Sequence, residues 1–217
     1  MNIEPIGYIE NDFKEKFGIP RQSGLVLIPS KIVLLPKFSD PNALRGLEDF
    51  THIWLIWGFS EVRPAEFSPT VRPPRLGGNV RKGVFATRSP FRPNPLGLSA
   101  VRLQSIEPGA LTVIGADLMN GTPIFDIKPY LPYVDSIPDA SNGWSLSTTD
   151  CILKVDIPQD MLSKIPENLR SALTETLAQD PRPQYQNSPE RLYTMAFGDF
   201  QVSFKVDGDL LIVTEIK

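Results

Sequence analysis

The residues best suited to chemistry lie in one segment, residues 83–99, which reads GVFATRSPFRPNPLGLS. This segment carries Arg88, Arg92 and Asn94 among three prolines, between two apolar runs. Proline fixes φ and removes a backbone donor, and it pushes the preceding residue out of the helical region. We therefore predict that residues 88–96 form a stiff, extended loop that holds two guanidinium groups and an amide in fixed places. Loops positioned by a rigid scaffold often carry function; a solvated edge loop is the alternative.

Basic residues are concentrated around this proline-rich loop. The chain has a formal net charge of −3, yet residues 63–102 contain eight basic residues and one acidic residue. A local cationic face on a mildly acidic protein indicates a polyanionic or carboxylate-bearing partner at one site. Arginines that only solvate the surface are the alternative interpretation.

Two further titratable residues stand out. Residues 117–135 read DLMNGTPIFDIKPYLPYVD and place Asp126 inside a short apolar run. Burying a carboxylate without a partner is costly, so we expect Asp126 to face water, to pair with a cation such as Lys128 or an arginine of the proline-rich loop, or to bind a ligand. His52 lies beside Trp54 in the run THIWLIW, and it is either a packed, hydrogen-bonded residue or a catalyst.

The composition excludes several kinds of site. His52 and Cys151 are the only histidine and the only cysteine, which excludes disulfides within the chain and zinc sites built from Cys and His. A Ser-His-Asp or Cys-His triad would have to use His52. The GxGxxG, GxxxxGK[ST] and GxSxG motifs are absent, so dinucleotide-binding Rossmann, P-loop and nucleophile-elbow sites are not supported. The acidic residues do not cluster at a metal spacing, and we expect no metal.

The overall composition is that of an ordinary globular protein, with 217 residues, 41% of them hydrophobic and 22% charged. No stretch approaches the ~20 apolar residues that a membrane-spanning helix needs. The N-terminal residues MNIEPIGYIE lack the basic and apolar regions of a signal peptide. We therefore expect a cytoplasmic protein with no membrane association.

Short apolar runs with β-branched residues dominate the first two-thirds of the chain and predict strands. The predicted strands cover residues 3–9, 25–35, 52–59, 98–106, 111–116 and 124–127, with a hairpin turn at Pro108-Gly109. Many short strands with Gly and Pro turns favour a closed antiparallel barrel over an alternating α/β sheet. A short helix is expected over residues 41–50, with Asp40 as its N-cap.

The pattern changes after a turn-rich stretch at residues 136–147. Residues 166–179 predict a helix that has leucines at every fourth position on one face. Strands follow at residues 199–206 and 210–216, joined by the hairpin signal Asp207-Gly208. We predict a mainly β protein, with a small antiparallel β-barrel domain over residues 1–148 and a C-terminal α+β domain over residues 149–217.

Four motifs taken together resemble one family. They are GIPRQ at residues 18–22, GLEDFTHIW at 46–54, and the two segments at 83–99 and 117–135. In this order they resemble the TrmO family, also called TsaA-like or YaeB-like, of S-adenosylmethionine-dependent tRNA methyltransferases. The resemblance runs from about residue 3 to 144. DPRPQY at 180–185 and the strands after it are similar to the bacterial form of the family.

The resemblance implies a small β-barrel, a homodimer and S-adenosyl-L-methionine as the methyl donor. It also implies methyl transfer to N6 of threonylcarbamoyladenosine at tRNA position 37, next to the anticodon. A cofactor-binding protein or small-molecule methyltransferase on the same barrel is the alternative. A non-enzymatic RNA-binding module is a third hypothesis.

The resemblance also suggests roles for individual residues. Asp126 is the candidate catalytic base, and His52 takes that role if it faces the cleft. Cofactor contacts are expected from Phe85, Ala86, Thr87, Arg88, Phe91, Arg92, Asn94, Leu118, Asp126, Ile127, Lys128 and Tyr130. Contacts with tRNA are expected from Lys14, Lys16, Arg21, Gln22, Arg72, Arg75, Arg81 and Lys82. Among the cofactor contacts, an arginine is expected to bind the donor's carboxylate bidentately.

Overall fold

The computed structural model describes residues 2–62, 67–76, 78–148, 152–182 and 188–217. The strands are β1 (Gly7–Glu10), β2 (Pro29–Leu34), β3 (His52–Gly58), β4 (Thr70–Val71), β5 (Lys82–Gly83), β6 (Leu96–Glu107), β7 (Ala110–Ile114), β8 (Pro123–Pro129), β9 (Lys154–Asp156), β10 (Tyr193–Phe197), β11 (Phe200–Asp207) and β12 (Leu210–Ile216). The α-helices are α1 (Pro132–Asp135), α2 (Gln159–Leu162) and α3 (Glu167–Ala178). Short 3-10 helices occur at Pro36–Phe38, Pro41–Leu44, Leu47–Asp49, Pro74–Leu76, Val84–Ala86 and Gly143–Thr148.

Six antiparallel strands close into a barrel in the order β1-β2-β7-β6-β3-β8, and β8 pairs back onto β1. This confirms the predicted antiparallel barrel. In β3, Ile53 and Leu55 are fully buried in the barrel core, whereas Trp54 between them is half-buried on the outer face. The Pro108-Gly109 turn joins β6 to β7 as predicted, with Glu107 paired to Ala110. Closure leaves the six barrel strands without a free edge.

The helix predicted over residues 41–50 forms as two 3-10 helices instead of one α-helix. Asp40 caps the first of them as expected, because its Oδ1 accepts a hydrogen bond from the backbone N–H of Asn42 at 2.8 Å. Gly46 lies between the two helices with φ +86°. A residue in the left-handed region interrupts the right-handed repeat, so the segment cannot continue as one helix.

The C-terminal part contains a four-stranded sheet in the order β10-β11-β12-β9, in which β9 runs parallel to β12. The predicted helix is α3, and Leu173 and Leu177 on its apolar face are fully buried. The Asp207-Gly208 turn joins β11 to β12 as predicted. The sequence did not predict β9 and β10, which complete the sheet on either side.

Two hydrophobic clusters hold these parts together. One fills the barrel. The other lies in the C-terminal part, but it also contains Phe13, Val26 and Ile28 from the connection between β1 and β2. The β1–β2 connection (residues 11–28) therefore leaves the barrel, packs into the C-terminal core and returns.

Candidate functional site

A cleft of about 890 Å³ opens at one end of the barrel. β1, β3 and β7 end there, and β2, β6 and β8 begin there. Its walls are the β1–β2 connection, the segment after β3, the proline-rich loop and the first residues of β6. The cleft continues onto the outer face of β3 as far as Trp54 and Tyr130. Segments far apart in the sequence therefore meet in one concave site of the size typical for small ligands.

The proline-rich loop is neither helix nor strand between Arg88 and Pro95, as the prolines predict, whereas Leu96, the last residue of the predicted loop, already begins β6. The Arg92 guanidinium turns back on the loop, and its Nη1 donates to the carbonyl of Thr87 at 2.9 Å and to that of Ser89 at 3.4 Å. Arg88 reaches across the cleft, where its Nη1 donates to Gln22 Oε1. Arg92 therefore stabilises the loop, and Arg88 links it to the opposite wall.

Three polar side chains that the sequence did not single out form a chain at the cleft. Trp57 Nε1 donates to Ser99 Oγ at 3.0 Å, and Ser99 Oγ donates to Asp117 Oδ1 at 2.5 Å. Burial raises the pKa of the Asp117 carboxyl, while the Ser99 hydrogen bond and the positive charge of Arg88 oppose that rise. Asp117 is thus a cleft carboxylate with increased proton affinity. Asp117 is the first residue of the segment 117–135, which was the signal available in the sequence. Within that segment, however, Asp126 was singled out as the candidate carboxylate.

The Trp57 indole needs the glycine that faces it. Trp57 pairs with Gly97 in the sheet, and a Cβ on Gly97 would lie 2.2 Å from Trp57 Cε2. Real Cβ atoms do not approach ring atoms so closely. Gly97 therefore lets the indole lie against the β6 backbone, where it reaches Ser99.

A second group lies on the outer-face end of the cleft. The ring centroids of Trp54 and Tyr130 are 5.3 Å apart, and Trp54 Nε1 donates to Asp135 Oδ2 at 2.9 Å. The Leu131 amide donates to the same oxygen at 2.8 Å. These bonds, first that from Leu131 and then that from Trp54, lower the pKa of Asp135. An ionised carboxylate beside two aromatic rings is suited to a cationic group.

Several residues with predicted roles line the cleft. Of the expected cofactor contacts these are Thr87, Arg88, Phe91, Arg92 and Tyr130. Of the expected tRNA contacts, Lys16, Arg21 and Gln22 line it as well.

The other expected cofactor contacts lie elsewhere in the described structure. These are Phe85, Ala86, Asn94, Leu118, Asp126, Ile127 and Lys128. Asp126 forms an ion pair with Lys128 at 3.0 Å, which is one of the partners the sequence analysis allowed. Leu118 is fully buried in the barrel core, so its side chain is not available to a ligand. His52 is exposed; it contacts the Thr51 hydroxyl and packs edge-on against Tyr130 without lining the cleft.

The remaining basic residues form two groups. Lys14 pairs with Asp199 at 2.5 Å, next to the cleft residue Lys16. Arg72, Arg81 and Lys82 surround the β4–β5 ribbon, where Arg81 Nη1 donates to Thr70 Oγ1 at 2.6 Å. The side chain of Arg75 lies outside the described residues. The basic surface is thus split between the cleft mouth and the ribbon.

Within the described part of the chain, no group of three or more His, Cys, Asp or Glu side chains could hold a metal ion. None of the helices described is long and apolar enough to cross a membrane.

Comparison with known proteins identifies relatives over nearly the whole chain. The model of the tRNA-methyltransferase O N-terminal domain matches residues 8–136, and that of the TrmO C-terminal domain matches residues 154–217. The tRNA (adenine(37)-N6)-methyltransferase of Escherichia coli (strain K12) is 42% identical over 219 residues, which cover 95% of this chain and 93% of that protein. A Pyrococcus abyssi protein named "Probable S-adenosyl-L-methionine-binding protein" is 38% identical over 141 residues, covering 64% of this chain and 73% of that protein.

Solved structures agree with these relatives. The crystal structure of TrmO from Pseudomonas aeruginosa superposes with a TM-score of 0.81 and 35% sequence identity, covering 100% of this chain and 98% of that one. The barrel, the C-terminal sheet and the sequence motifs all fall within this likeness. This chain therefore belongs to the tRNA-methyltransferase O family.

Proposed function

We propose that this protein is a cytoplasmic tRNA methyltransferase that transfers a methyl group from S-adenosyl-L-methionine to N6 of threonylcarbamoyladenosine at position 37. The Escherichia coli relative is named for methylation of adenine 37 at N6. Among the structural observations, the one that best supports the proposal is the cleft, because it combines guanidinium groups, a pair of aromatic rings beside the Asp135 carboxylate, and the Asp117 carboxyl with its raised pKa.

The chemistry of the cleft side chains fits the methyl donor. S-adenosyl-L-methionine supplies an electrophilic methyl group on a sulfonium cation, together with a carboxylate, an ammonium group and adenosine. Arg88 offers a guanidinium for the carboxylate. Trp54 and Tyr130 offer ring faces for adenine or the cation, and Asp135 beside them offers a negative charge. The site therefore has a suitable group for each part of the donor.

Asp117 is the residue we assign as catalytic base. N6 of the modified adenosine lies in a urea-like group and is a poor nucleophile, so removal of its proton assists methyl transfer. The Asp117 carboxylate would take up the proton that N6 loses while the N–C bond to the methyl group forms and the donor's S–C bond breaks, which leaves a neutral thioether. Ser99, held by Trp57, orients that carboxylate. Positioning of the two reactants by the cleft walls supplies much of the remaining acceleration.

The basic residues at the cleft mouth and on the β4–β5 ribbon support binding of the tRNA backbone. The first group is Lys14, Lys16 and Arg21, with the polar Gln22 beside them, and the second is Arg72, Arg81 and Lys82. Arg75 is expected to contact the tRNA as well. The modified base must leave its loop stack to enter the cleft, and an aromatic face that the donor does not cover suits it.

A homodimer is part of the proposal. Phe91 and Leu98 line the cleft and are 64% and 56% exposed. Exposed apolar side chains at the mouth of a site favour cover by another protein surface. Light scattering on the purified protein would give the mass of two chains, and a single-chain mass would contradict this part.

The function is tested by incubating the protein with methyl-labelled S-adenosyl-L-methionine and two tRNA pools. One pool carries threonylcarbamoyladenosine, and the other comes from cells that cannot make it. Label in the modified pool alone supports the proposal. Label in neither pool, with donor binding confirmed by calorimetry, would favour a small-molecule methyltransferase instead.

A further inference from the structure

One wall of the cleft is backed by the C-terminal domain. Lys16 and residues 19–23 of the β1–β2 connection face the cleft. On the other side of the same segment, Phe17 stacks on Phe204 of β11 with ring centroids 6.4 Å apart. Gly18 has φ +94°, and a Cβ there would lie 2.9 Å from Met195 Cε of β10. The cleft wall is therefore a single segment that faces the cleft on one side and packs against the C-terminal core on the other.

Arg21 connects this wall to the C-terminal domain by a specific polar contact. Its Nη2 donates to the backbone carbonyl of Asp180 at 2.6 Å. Asp180 directly follows the C-cap of α3, and its amide donates back to the Leu177 carbonyl at 3.1 Å. The acceptor for Arg21 thus lies at the end of the one long helix in the described C-terminal residues.

Asp180 has a backbone conformation that favours glycine. Its φ is +48°, which makes it the only non-glycine residue with positive φ in the part of the chain that the structure describes. Helices commonly end on glycine in this conformation. An aspartate adopts this conformation at a cost that glycine avoids, and local hydrogen bonds of its short side chain offset that cost.

The Asp180 carboxylate is engaged by a buried arginine. Arg182 is 8% exposed, and its Nε and Nη2 donate to the two carboxylate oxygens at 2.8 and 3.1 Å. The Arg182 amide also donates to Oδ1 at 3.3 Å. A bidentate pair with both partners buried has a defined geometry, so it fixes the turn that presents the Asp180 carbonyl.

The polar connection continues from Arg21 to the opposite side of the cleft. Gln22 Nε2 donates to the Arg21 carbonyl at 2.5 Å, and Gln22 Oε1 accepts from Arg88. The wall residues therefore link the turn after α3 to the guanidinium of the proline-rich loop.

We propose that the C-terminal domain holds one wall of the ligand cleft in place: the Asp180–Arg182 pair fixes the carbonyl that binds Arg21, and Arg21 with Gln22 holds Arg88 in its position. Asp180, Arg182 and Arg21 are then positioning residues for the methyltransferase site. The inference rests on the proposed function for the identity of the ligand, but the arrangement of the wall does not depend on it.

The test measures S-adenosyl-L-methionine binding by calorimetry for the full chain and for Arg21→Ala, Arg182→Met and the double variant. Each single substitution is expected to weaken binding about tenfold, and the double variant to bind no more weakly than Arg21→Ala alone. Lys205→Met is the matched control, because it breaks the exposed Lys205–Glu190 ion pair in the same domain. It is expected to bind as the unmodified protein does.

Hydrogen exchange gives a second readout that needs no ligand. In Arg21→Ala, which replaces a half-buried side chain and leaves both cores intact, amide protection should fall at residues 19–23 and 179–182 while the barrel strands stay protected. Unchanged protection in both segments of Arg21→Ala would overturn the inference. This readout does not need the Arg182→Met variant, so it remains decisive if that variant fails to fold. Losses that multiply in the double variant would overturn it too. Suppose that the unmodified protein binds no donor, but Arg21→Ala shows lower amide protection in these two segments. The proposed function then fails, and the positioning role of Arg21 stands.

Discussion

Ser99 Oγ lies 2.5 Å from Asp117 Oδ1 and donates its hydrogen to it, while the Trp57 indole N–H donates to the same Oγ from the other side. The indole N–H can only donate, so it occupies a lone pair of the hydroxyl and directs the hydroxyl hydrogen towards Asp117. Trp57 and Ser99 lie on neighbouring strands, β3 and β6. The barrel sheet thereby sets the orientation of a carboxylate that lies outside it, in the connection after β7.

Asp117→Asn is expected to lower the rate of methyl transfer about 10²- to 10⁴-fold, the range for loss of a general base. The asparagine oxygen can still accept from Ser99, so the fold and donor binding are retained. Single-turnover methylation of modified tRNA measures the effect, with Asp126→Asn as the matched control at the other candidate carboxylate. A rate for Asp117→Asn within threefold of the unmodified protein would contradict the assignment of the base.

The raised pKa of Asp117 has a consequence for stability. The folded protein holds the Asp117 proton more tightly than the unfolded chain does, because burial disfavours the charged form. The free energy of unfolding therefore loses a contribution as the pH rises from the ordinary aspartate range through the raised folded-state pKa. Denaturant titrations at a series of pH values should show that the free energy of unfolding of Asp117→Asn increases relative to that of the unmodified protein as the pH rises across that range. A difference that does not change with pH would contradict the shift.

Gly97→Ala is expected to destabilise the protein by about 1–3 kcal/mol, the usual cost of overpacking a filled site. The new methyl would overlap the Trp57 ring, and the indole would have to move away from Ser99. Thermal unfolding measures the first effect, and the methylation rate measures the second. Gly83→Ala is the control, since a Cβ there meets no atom within 4 Å. Equal melting temperatures for the two variants would contradict the prediction, because they would show that the Trp57 indole can move aside without loss of stability.

The sequence predicted the barrel because strand pattern and turns are local signals. It was less informative about the site, because burial of a polar group depends on distant residues. Asp117 acquires its environment from Ser99 and Trp57, which are remote in the chain. Asp126 looked unusual only because its immediate neighbours are apolar. Residues two apart lie on the same face of a strand, and Lys128 is the partner that this periodicity offers.

The β4–β5 ribbon is predicted to contact the tRNA backbone rather than the donor. Replacing Arg81 and Lys82 with alanine should weaken tRNA binding at low salt, because fewer counterions are released from the phosphates. The slope of log affinity against log salt should become shallower by about 2. Donor binding should not change, since neither residue lines the cleft. Lys37→Ala provides the control, because Lys37 belongs to neither basic group and forms an exposed ion pair with Glu4. An unchanged slope for the double replacement would place the tRNA elsewhere.

Arg88 and Arg92 are predicted to differ in what their loss does. Arg92 donates to two carbonyls of its own loop, so Arg92→Ala should loosen the loop and weaken donor binding through its conformation. Arg88 extends over the cleft to Gln22, so Arg88→Ala should weaken binding directly and leave the loop in place. Arg88→Lys keeps the charge but loses the planar fork that matches a carboxylate, and we expect it to bind about tenfold more weakly than the unmodified protein. Hydrogen exchange of residues 85–92 separates the two cases, because only Arg92→Ala should lower protection there. If Arg88→Lys binds the donor as tightly as the unmodified protein, Arg88 contributes charge alone and does not bind the carboxylate bidentately.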